Sequence, residues 1–292
     1  MVIGITGATG FVGRHIIEHA HRRGHEVIAF TRTPEKQIER AVETRGFSVE
    51  KTPDLAGCEA VIHLAGEPIL GFWTRKKRRA IIESRVRGTR RVVEAIERMG
   101  TRPEVLLSAS AIGLYGDGGE RELSEDAPQG GSYLGEVVAM WEHEACQAKA
   151  DRVVFLRTAV VLGRDAGALK FMKLVFRFGL GGVIGSGRQW MSWIHIEDLA
   201  RLALFAVEDM SVRGPLNASA PWPVRHGDFA RTLARILERP AFFRVPAFAV
   251  RLALRGLAAE LLESKRVVPA AATEHGFGFN FSEVEPALRD LL

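Results

Sequence analysis

The chain of 292 residues holds only two cysteines, Cys58 and Cys146, far apart and without CxxC spacing. A disulfide framework and a cysteine zinc site are therefore not expected, no metal site is expected, and a reducing, cytoplasmic setting is the default. No stretch approaches the roughly 20 apolar residues that a membrane span needs, so no membrane partner is expected. The opening Met1-Val2-Ile3-Gly4-Ile5 enters a strand at once, with no basic start before an apolar segment and so no sign of a secretory leader. Amides are scarce, with two asparagines and four glutamines, while 32 of the 40 basic residues are arginine. Few amides and many ionic groups suit work at high temperature, although a GC-rich genome gives the same arginine count. A hydrophobic share of 47% with a net charge of only +5 excludes disorder. The length suits one large domain, or a core domain with an appended lobe.

What is present is an alternation. Val2 to Thr6, Glu26 to Thr31, Glu59 to Leu64, Glu104 to Ala109 and Val153 to Val161 are short apolar runs, separated by helical patterns such as Phe11 to Arg23. Buried strands alternating with amphipathic helices predict a parallel, doubly wound α/β sheet of the Rossmann type. The second half is less regular. Gly179 to Gly187 is glycine-rich, Ile196 to Val207, Phe229 to Leu237 and Phe248 to Leu262 read as helices, and Pro215 to Ala218 reads as a short strand. The expected organisation is a nucleotide-binding domain over residues 1–163, completed by 194–221, with 164–292 mainly a small, largely helical substrate lobe.

Thr6-Gly7-Ala8-Thr9-Gly10-Phe11-Val12-Gly13 sets a G-x-x-G-x-x-G spacing between the first strand and the first helix. Such a turn lets backbone approach a pyrophosphate and aims the free N–H groups of a helix start at its charge. The end of the second strand discriminates between dinucleotides. A carboxylate there accepts from a ribose 2′-hydroxyl, whereas this chain reads Phe30-Thr31-Arg32-Thr33. The guanidinium fork of Arg32 matches a 2′-phosphate, so NADP is the expected cofactor.

Further on come His63-Leu64-Ala65-Gly66-Glu67-Pro68, Trp73-Thr74, Ser84-Arg85, Ser108-Ala109-Ser110, Leu114-Tyr115-Gly116-Asp117 and Trp190-Met191-Ser192-Trp193-Ile194-His195. With Leu261-Leu262 and Arg266-Val267-Val268-Pro269 in the tail, the chain resembles the extended or atypical short-chain dehydrogenase/reductases. Within them it is similar, end to end, to the NAD(P)-dependent epimerase/dehydratase-like subgroup whose members carry a C-terminal region of unknown function. The resemblance implies that Leu64, Ala65, Gly66 and Arg85 border the cofactor. It implies that Ser110 polarises a substrate oxygen and that Tyr133 stands where the superfamily has the tyrosine of a Tyr-x-x-x-Lys pair. In that pair an ammonium one helical turn away lowers the phenol's pKa toward neutrality. Here the segment is Tyr133-Leu134-Gly135-Glu136-Val137, so the lysine is a valine.

Two function classes follow. One is an NADP-dependent oxidoreductase or epimerase acting on a small carbonyl or alcohol by hydride transfer, with Ser110 and a weakened Tyr133. The other is a non-catalytic NADP-binding protein whose occupancy a partner reads. Nucleic-acid binding through residues 75–91, with nine basic side chains and the single acid Glu83, ranks last, because a helix turning Ile82, Val86, Val93 and Ile96 inward leaves those charges solvated. His15, His19 and His21 are expected to face water beside inward Ile16, Ile17 and Ala20. His195 reads as a packed or hydrogen-bonded group before a proton shuttle. Phe72, Trp73, Trp190, Trp193 and Trp222 are each read as core before pocket wall.

Overall fold

A computed structural model describes residues 1–71, 73–164, 166–179, 181–240 and 243–292. Its centre is one parallel sheet of seven strands: β1 (Val2–Thr6), β2 (Glu26–Thr31), β3 (Glu43–Gly46), β4 (Ala60–His63), β5 (Val105–Ala111), β6 (Val153–Thr158) and β7 (Gly214–Ala218). Their spatial order is β3-β2-β1-β4-β5-β6-β7. The chain thus winds outward from β1 in one direction, returns to β4 and winds outward in the other. The crevice at the β1/β4 reversal is where open α/β sheets bind ligands.

Alternation along each strand divides the core. Ile3, Ile5, Val27, Ala29 and Leu107 face α1 (Phe11–Arg22) and α5 (Ile196–Glu208), whose Ile16, Ile17, Leu199 and Leu202 complete that layer. Ile28, Phe30, Val61 and Leu106 face the other way, onto Val92 and Ile96 of α2 (Arg75–Glu97) and Ala145 of α3 (Tyr133–Ala145). The inward face of α2 is Ile81, Val92, Val93 and Ile96, while Ile82 and Val86 are only half-buried, so the inward stripe is rotated slightly from the expected one.

Four local outcomes differ from the sequence reading. β3, Glu-Thr-Arg-Gly, carries no apolar run because it is an edge strand stabilised mainly by its ladder to β2. The run Val153 to Val161 breaks at Ala159, where the chain leaves the sheet. Val160–Leu162 then pairs with Trp193–His195 instead. A helix not anticipated, α4 (Gly167–Arg177), follows this switch. The stretch expected as one helix from Phe248 to Leu262 is two, Ala247–Leu254 and Ala258–Leu262. Gly256 lies at the break, and a Cβ there would sit 2.5 Å from Trp73 Cε3. Close approach of the tail's backbone to that indole thus requires glycine and interrupts the helix.

The tail is bound to the sheet domain. Asp198, fully buried in the first turn of α5, accepts the backbone N–H groups of Asn280 (2.9 Å) and Phe281 (2.8 Å) and pairs with Arg201 at 2.7 Å. Among the described residues, no helix is long and apolar enough to cross a membrane.

Candidate cofactor and active site

The carboxyl ends of β1, β4 and β5 carry the residues of interest. Gly7 adopts φ +70°, and a Cβ on it would lie 2.9 Å from Ala65 N. Gly13 stands on α1 directly over the turn, where a Cβ would be 2.4 Å from the Gly7 carbonyl oxygen. Glycine at these two positions is what lets α1 start tight against β1. The N-cap of α1 is Gly10, which offers no side-chain cap, and no acidic residue occupies the first turn. Among the described residues the first N–H groups of α1 therefore have neither a side-chain acceptor nor a carboxylate competitor, an arrangement suited to a pyrophosphate. Thr9 is exposed at the turn, and the ring of Phe11 packs so closely on Gly163 that a Cβ there would meet it at 2.1 Å. Thr31 is buried at the end of β2, whereas the next residue, Arg32, is exposed and makes no ion pair among the described residues.

The β4 loop is held by a buried chain of polar groups. Thr6 Oγ1 accepts the N–H groups of Leu64 (3.2 Å) and Ala65 (3.3 Å) and lies 2.7 Å from His63 Nδ1. Its hydroxyl proton is thus directed at Nδ1, which leaves the His63 proton on Nε2, 3.1 Å from Thr89 Oγ1. Burial pushes the His63 imidazole down to about 4, so it is a neutral strut at physiological pH. Beyond it, Ser84 Oγ accepts the Glu67 N–H (2.9 Å) and Arg85 donates to the Glu67 carbonyl (3.0 Å). Lys77 pairs with the Glu67 carboxylate at 2.6 Å. Arg85 lies beside Gly66 and over the Trp141 ring, 5.1 Å from its centroid. Burial pushes this guanidinium down to about 10 against the opposing pull of Glu67. Among the described residues it is a cation without a direct carboxylate partner, backing the Gly66 loop.

Ser110 is nearly buried, at 4% exposure, and its hydroxyl donates to Glu142 Oε1 at 2.5 Å. Glu142 in turn holds Arg157 through two bonds of 2.9 Å. Arg157 also donates to Tyr115 Oη (3.0 Å), and Tyr115 donates to Asn217 Oδ1 (2.7 Å). Strand register explains the row. Ser110 on β5 is opposite Arg157 on β6, which is opposite Asn217 on β7, so all three project to one face. Burial opposes the charge on Arg157, but Glu142 and Tyr115 hold the guanidinium above its ordinary value. A serine has one proton to donate. With that O–H directed at Glu142, Ser110 meets any further neighbour as an acceptor, suited to an alcohol rather than a carbonyl.

Tyr133 opens α3, capped by Ser132, and at 36% exposure it sits on the rim. Its ring meets Trp73 edge-on, with centroids 5.9 Å apart, and Arg78 lies over it at 5.5 Å. A small cavity of about 110 Å³ joins Tyr133, Trp73 and Arg78 to Glu260 of the tail. Val137, one turn on, is 1% exposed and sealed among Trp73, Ile81 and Leu257. No bond links Tyr133 to Ser110 among the described residues. The serine points into the Glu142 row and the tyrosine toward Trp73.

The other singled-out residues are distributed as follows. His19, expected at the surface, is buried between α1 and α5 with Nε2 2.9 Å from Glu197 Oε2, because the α1–α5 contact covers that side of the helix. His15 bonds the Phe11 carbonyl and His21 is exposed. His195 caps α5, its Nδ1 accepting the Glu197 N–H at 3.1 Å, and stacks on Phe281. Trp73 and Trp193 are core, Trp222 is exposed, and Phe72 lies outside the described residues. The basic face of α2 is paired only in part: Lys77 holds Glu67, Arg79 and Arg87 share Glu83, Arg90 holds Glu144 and Arg91 holds Glu94, whereas Arg75, Lys76 and Arg78 make no ion pair among the described residues. The residues missed in the sequence are Glu142, Arg157 and Asn217. An arginine at 157 within the apolar stretch Val153 to Val161 and a glutamate directly after Trp141 are charges that need a partner if their segments are buried, which was the available signal.

A model of the NAD dependent epimerase/dehydratase family matches residues 3–218, and the Domain of unknown function (DUF1731) matches residues 245–291. The chain is 38% identical over 301 residues to the Epimerase family protein SDR39U1 homolog, chloroplastic, of Arabidopsis thaliana, which spans 100% of this chain and 87% of that protein. It is 37% identical to the Epimerase family protein YfhF of Bacillus subtilis (strain 168), over 100% of this chain and 98% of that protein. Among solved structures, the crystal structure of human epimerase family protein SDR39U1 (isoform2) with NADPH superposes with a TM-score of 0.89 at 33% identity. It covers 100% of this chain and 99% of that one.

Proposed function

We propose that this chain, which belongs to the NAD dependent epimerase/dehydratase family, binds NADP and acts as an oxidoreductase or epimerase-like enzyme on a small alcohol or carbonyl. The observation that carries the reading is the turn itself. Gly7 and Gly13 permit backbone contact, the α1 start is uncapped and free of acid, and exposed Arg32 stands one residue beyond β2. These groups fit a dinucleotide with a 2′-phosphate, and the human relative at TM-score 0.89 carries NADPH. The remaining cofactor contacts are assigned to Thr9, Gly10, Phe11, Val12, Thr31, Leu64, Ala65 and Gly66, with Arg85 behind the last.

When bound, the nicotinamide supplies or accepts a hydride. The chain's own contribution is to hold the oxygen of the substrate. Ser110, its O–H donated to Glu142, accepts from a substrate hydroxyl, and Tyr133 donates a hydrogen bond from the rim. Residues 1–163 with 194–221 are assigned to the cofactor and the remainder mainly to the substrate. The test is NADPH fluorescence titration against NADH, then cofactor-dependent turnover over a panel of small alcohols and aldehydes. Preference for NADPH with turnover supports the reading, and equal affinity for the two cofactors overturns the assignment of Arg32.

A second reading, a cofactor-binding protein without turnover, is favoured by Val137. The position of the activating lysine is an apolar, fully packed site, so no ammonium reaches Tyr133 from α3. Tight NADPH binding with no turnover over the whole panel would select it.

A further inference from the structure

Away from the glycine turn and the Ser110 row, a cavity of about 510 Å³ opens between the segment 183–188, the start of helix α6 (His226–Ile236) and the short strand Phe243–Val245. Its charged lining is Arg188, Arg225, Arg231 and Arg244 against Glu120 and Asp228. Two of the four cations are matched. Arg225 donates to both Glu120 oxygens (2.8 and 2.6 Å) and lies 3.9 Å from the Trp190 ring centroid, while Arg231 holds Asp228 at 2.6 Å. Arg188 and Arg244 are exposed and have no carboxylate within ion-pair distance among the described residues.

Both unmatched arginines stand on pinned backbone. The Arg188 N–H donates to Ser186 Oγ at 3.1 Å, its carbonyl accepts from Arg225, and the adjoining Gly187 carbonyl accepts the Gly227 N–H at 2.9 Å. Gly187 lies at φ +71°, and a Cβ on it would meet Val183 Cγ1 at 2.4 Å and Gly227 Cα of α6 at 3.3 Å, so the loop is folded tightly between its own strand and α6. Arg244 is set by the ladder that places it opposite Val183. The wall is chiefly charged and backbone polar, unlike the apolar lining of most sites for neutral metabolites. Guanidinium forks on fixed backbone are the groups that bind phosphoryl oxygens bidentately.

We propose that this cavity is a second anion site, which binds a small molecule bearing two or more phosphoryl groups between Arg188 and Arg244. It shares no residue with the Gly7–Gly13 turn, and it stands whether or not the cofactor reading holds. Arg225 and Arg231, already paired, frame the opening and supply background potential.

The test is calorimetric titration of the full chain with sodium pyrophosphate, with and without saturating NADPH. It compares the unmodified protein, the double variant R188A/R244A, and a control, R98A/R102A, that removes two exposed arginines elsewhere. All substituted positions are at the surface, so folding is expected to be retained and is checked by thermal denaturation. The expected result is pyrophosphate binding that persists under saturating NADPH, weakens about tenfold or more in R188A/R244A, and is unchanged in R98A/R102A. Equal weakening in the two double variants would mean general charge attraction and overturn the site. So would binding abolished by NADPH, which would locate the anion at the glycine turn, or no binding at all. Citrate bound as tightly as pyrophosphate would overturn the phosphoryl assignment.

Discussion

The turns that follow β1 and β5 lie at the same edge of one sheet, yet they are built on opposite principles. After β1 the work is done by backbone. Gly7 and Gly13 remove side-chain atoms and the first N–H groups of α1 have no side-chain cap among the described residues, while beyond neighbouring β2 Arg32 has no ion-pair partner among them either. After β5 the work is done by side chains, and most of them are already engaged. Ser110 is bonded to Glu142, Glu142 to Arg157, and Arg157 to Tyr115, while Val137 is sealed in an apolar cluster. The first turn is open to a ligand; the second is closed on itself. The glycine geometry of one turn can therefore be kept while the side chains beside the other are rewired, because the two depend on different atoms.

The largest expected effect probes the closed side. Val137→Lys would place an ammonium among Trp73, Ile81 and Leu257, where burial lowers a lysine pKa by about 3 units or more. At neutral pH that costs about 4 kcal/mol, so the variant should be strongly destabilised in urea denaturation rather than gain activity. A variant as stable as the parent would show that the cluster yields readily and that the closed description is wrong.

The next probes the strut beneath the open side. Burial holds His63 at about 4 in the folded chain against an ordinary 6.5. The unfolded chain therefore takes up the proton first as pH falls. The His63 contribution is complete above about pH 6.5 and is lost progressively down to about pH 4, amounting to about 3 kcal/mol. Unfolding free energies measured across that window should fall more steeply for the parent than for His63→Gln. Parallel curves would remove His63 from the account.

Arg32→Ala addresses the open side directly. Charge-assisted bonds of about 1.5–3 kcal/mol correspond to roughly tenfold or more in NADPH affinity, with NADH nearly unchanged. A variant that weakens both cofactors alike would place the 2′-phosphate elsewhere.

Tyr133→Phe should do least to the folded chain. The hydroxyl has no hydrogen-bond partner among the described residues, so stability should change by no more than about 0.5 kcal/mol. General acid–base catalysis is worth about 10²–10⁴-fold, and a phenol without its ammonium forfeits much of that, so any turnover should fall less than about a hundredfold. A thousandfold loss with cofactor binding intact would make Tyr133 an activated acid and reverse the contrast between the two turns.

The alternation of apolar runs and helical patterns was legible in the residues as a doubly wound parallel sheet, because strand burial on both faces leaves a continuous apolar signature. The glycine turn was equally legible, since its function lies in what glycine lacks and needs no distant partner. Edge strand Glu43–Gly46 was not, since its polar residues carry no burial pattern and its ladder to β2 is non-local. The break at Gly256 depended on Trp73, far away in sequence. His19 looked solvent-facing until α5 covered it.

The sequence by itself determined the sheet, the position of the glycine turn and the valine at position 137, each a matter of local pattern or residue identity. Only the tertiary structure decided where the proton of Ser110 goes. It also decided which arginines are neutralised and which of them face a cavity without a counter-charge. Those outcomes depend on partners brought together by strand register and helix packing, as Ser110, Arg157 and Asn217 are across three strands. The free energy of a polar group is set by its neighbours far more than by its own identity.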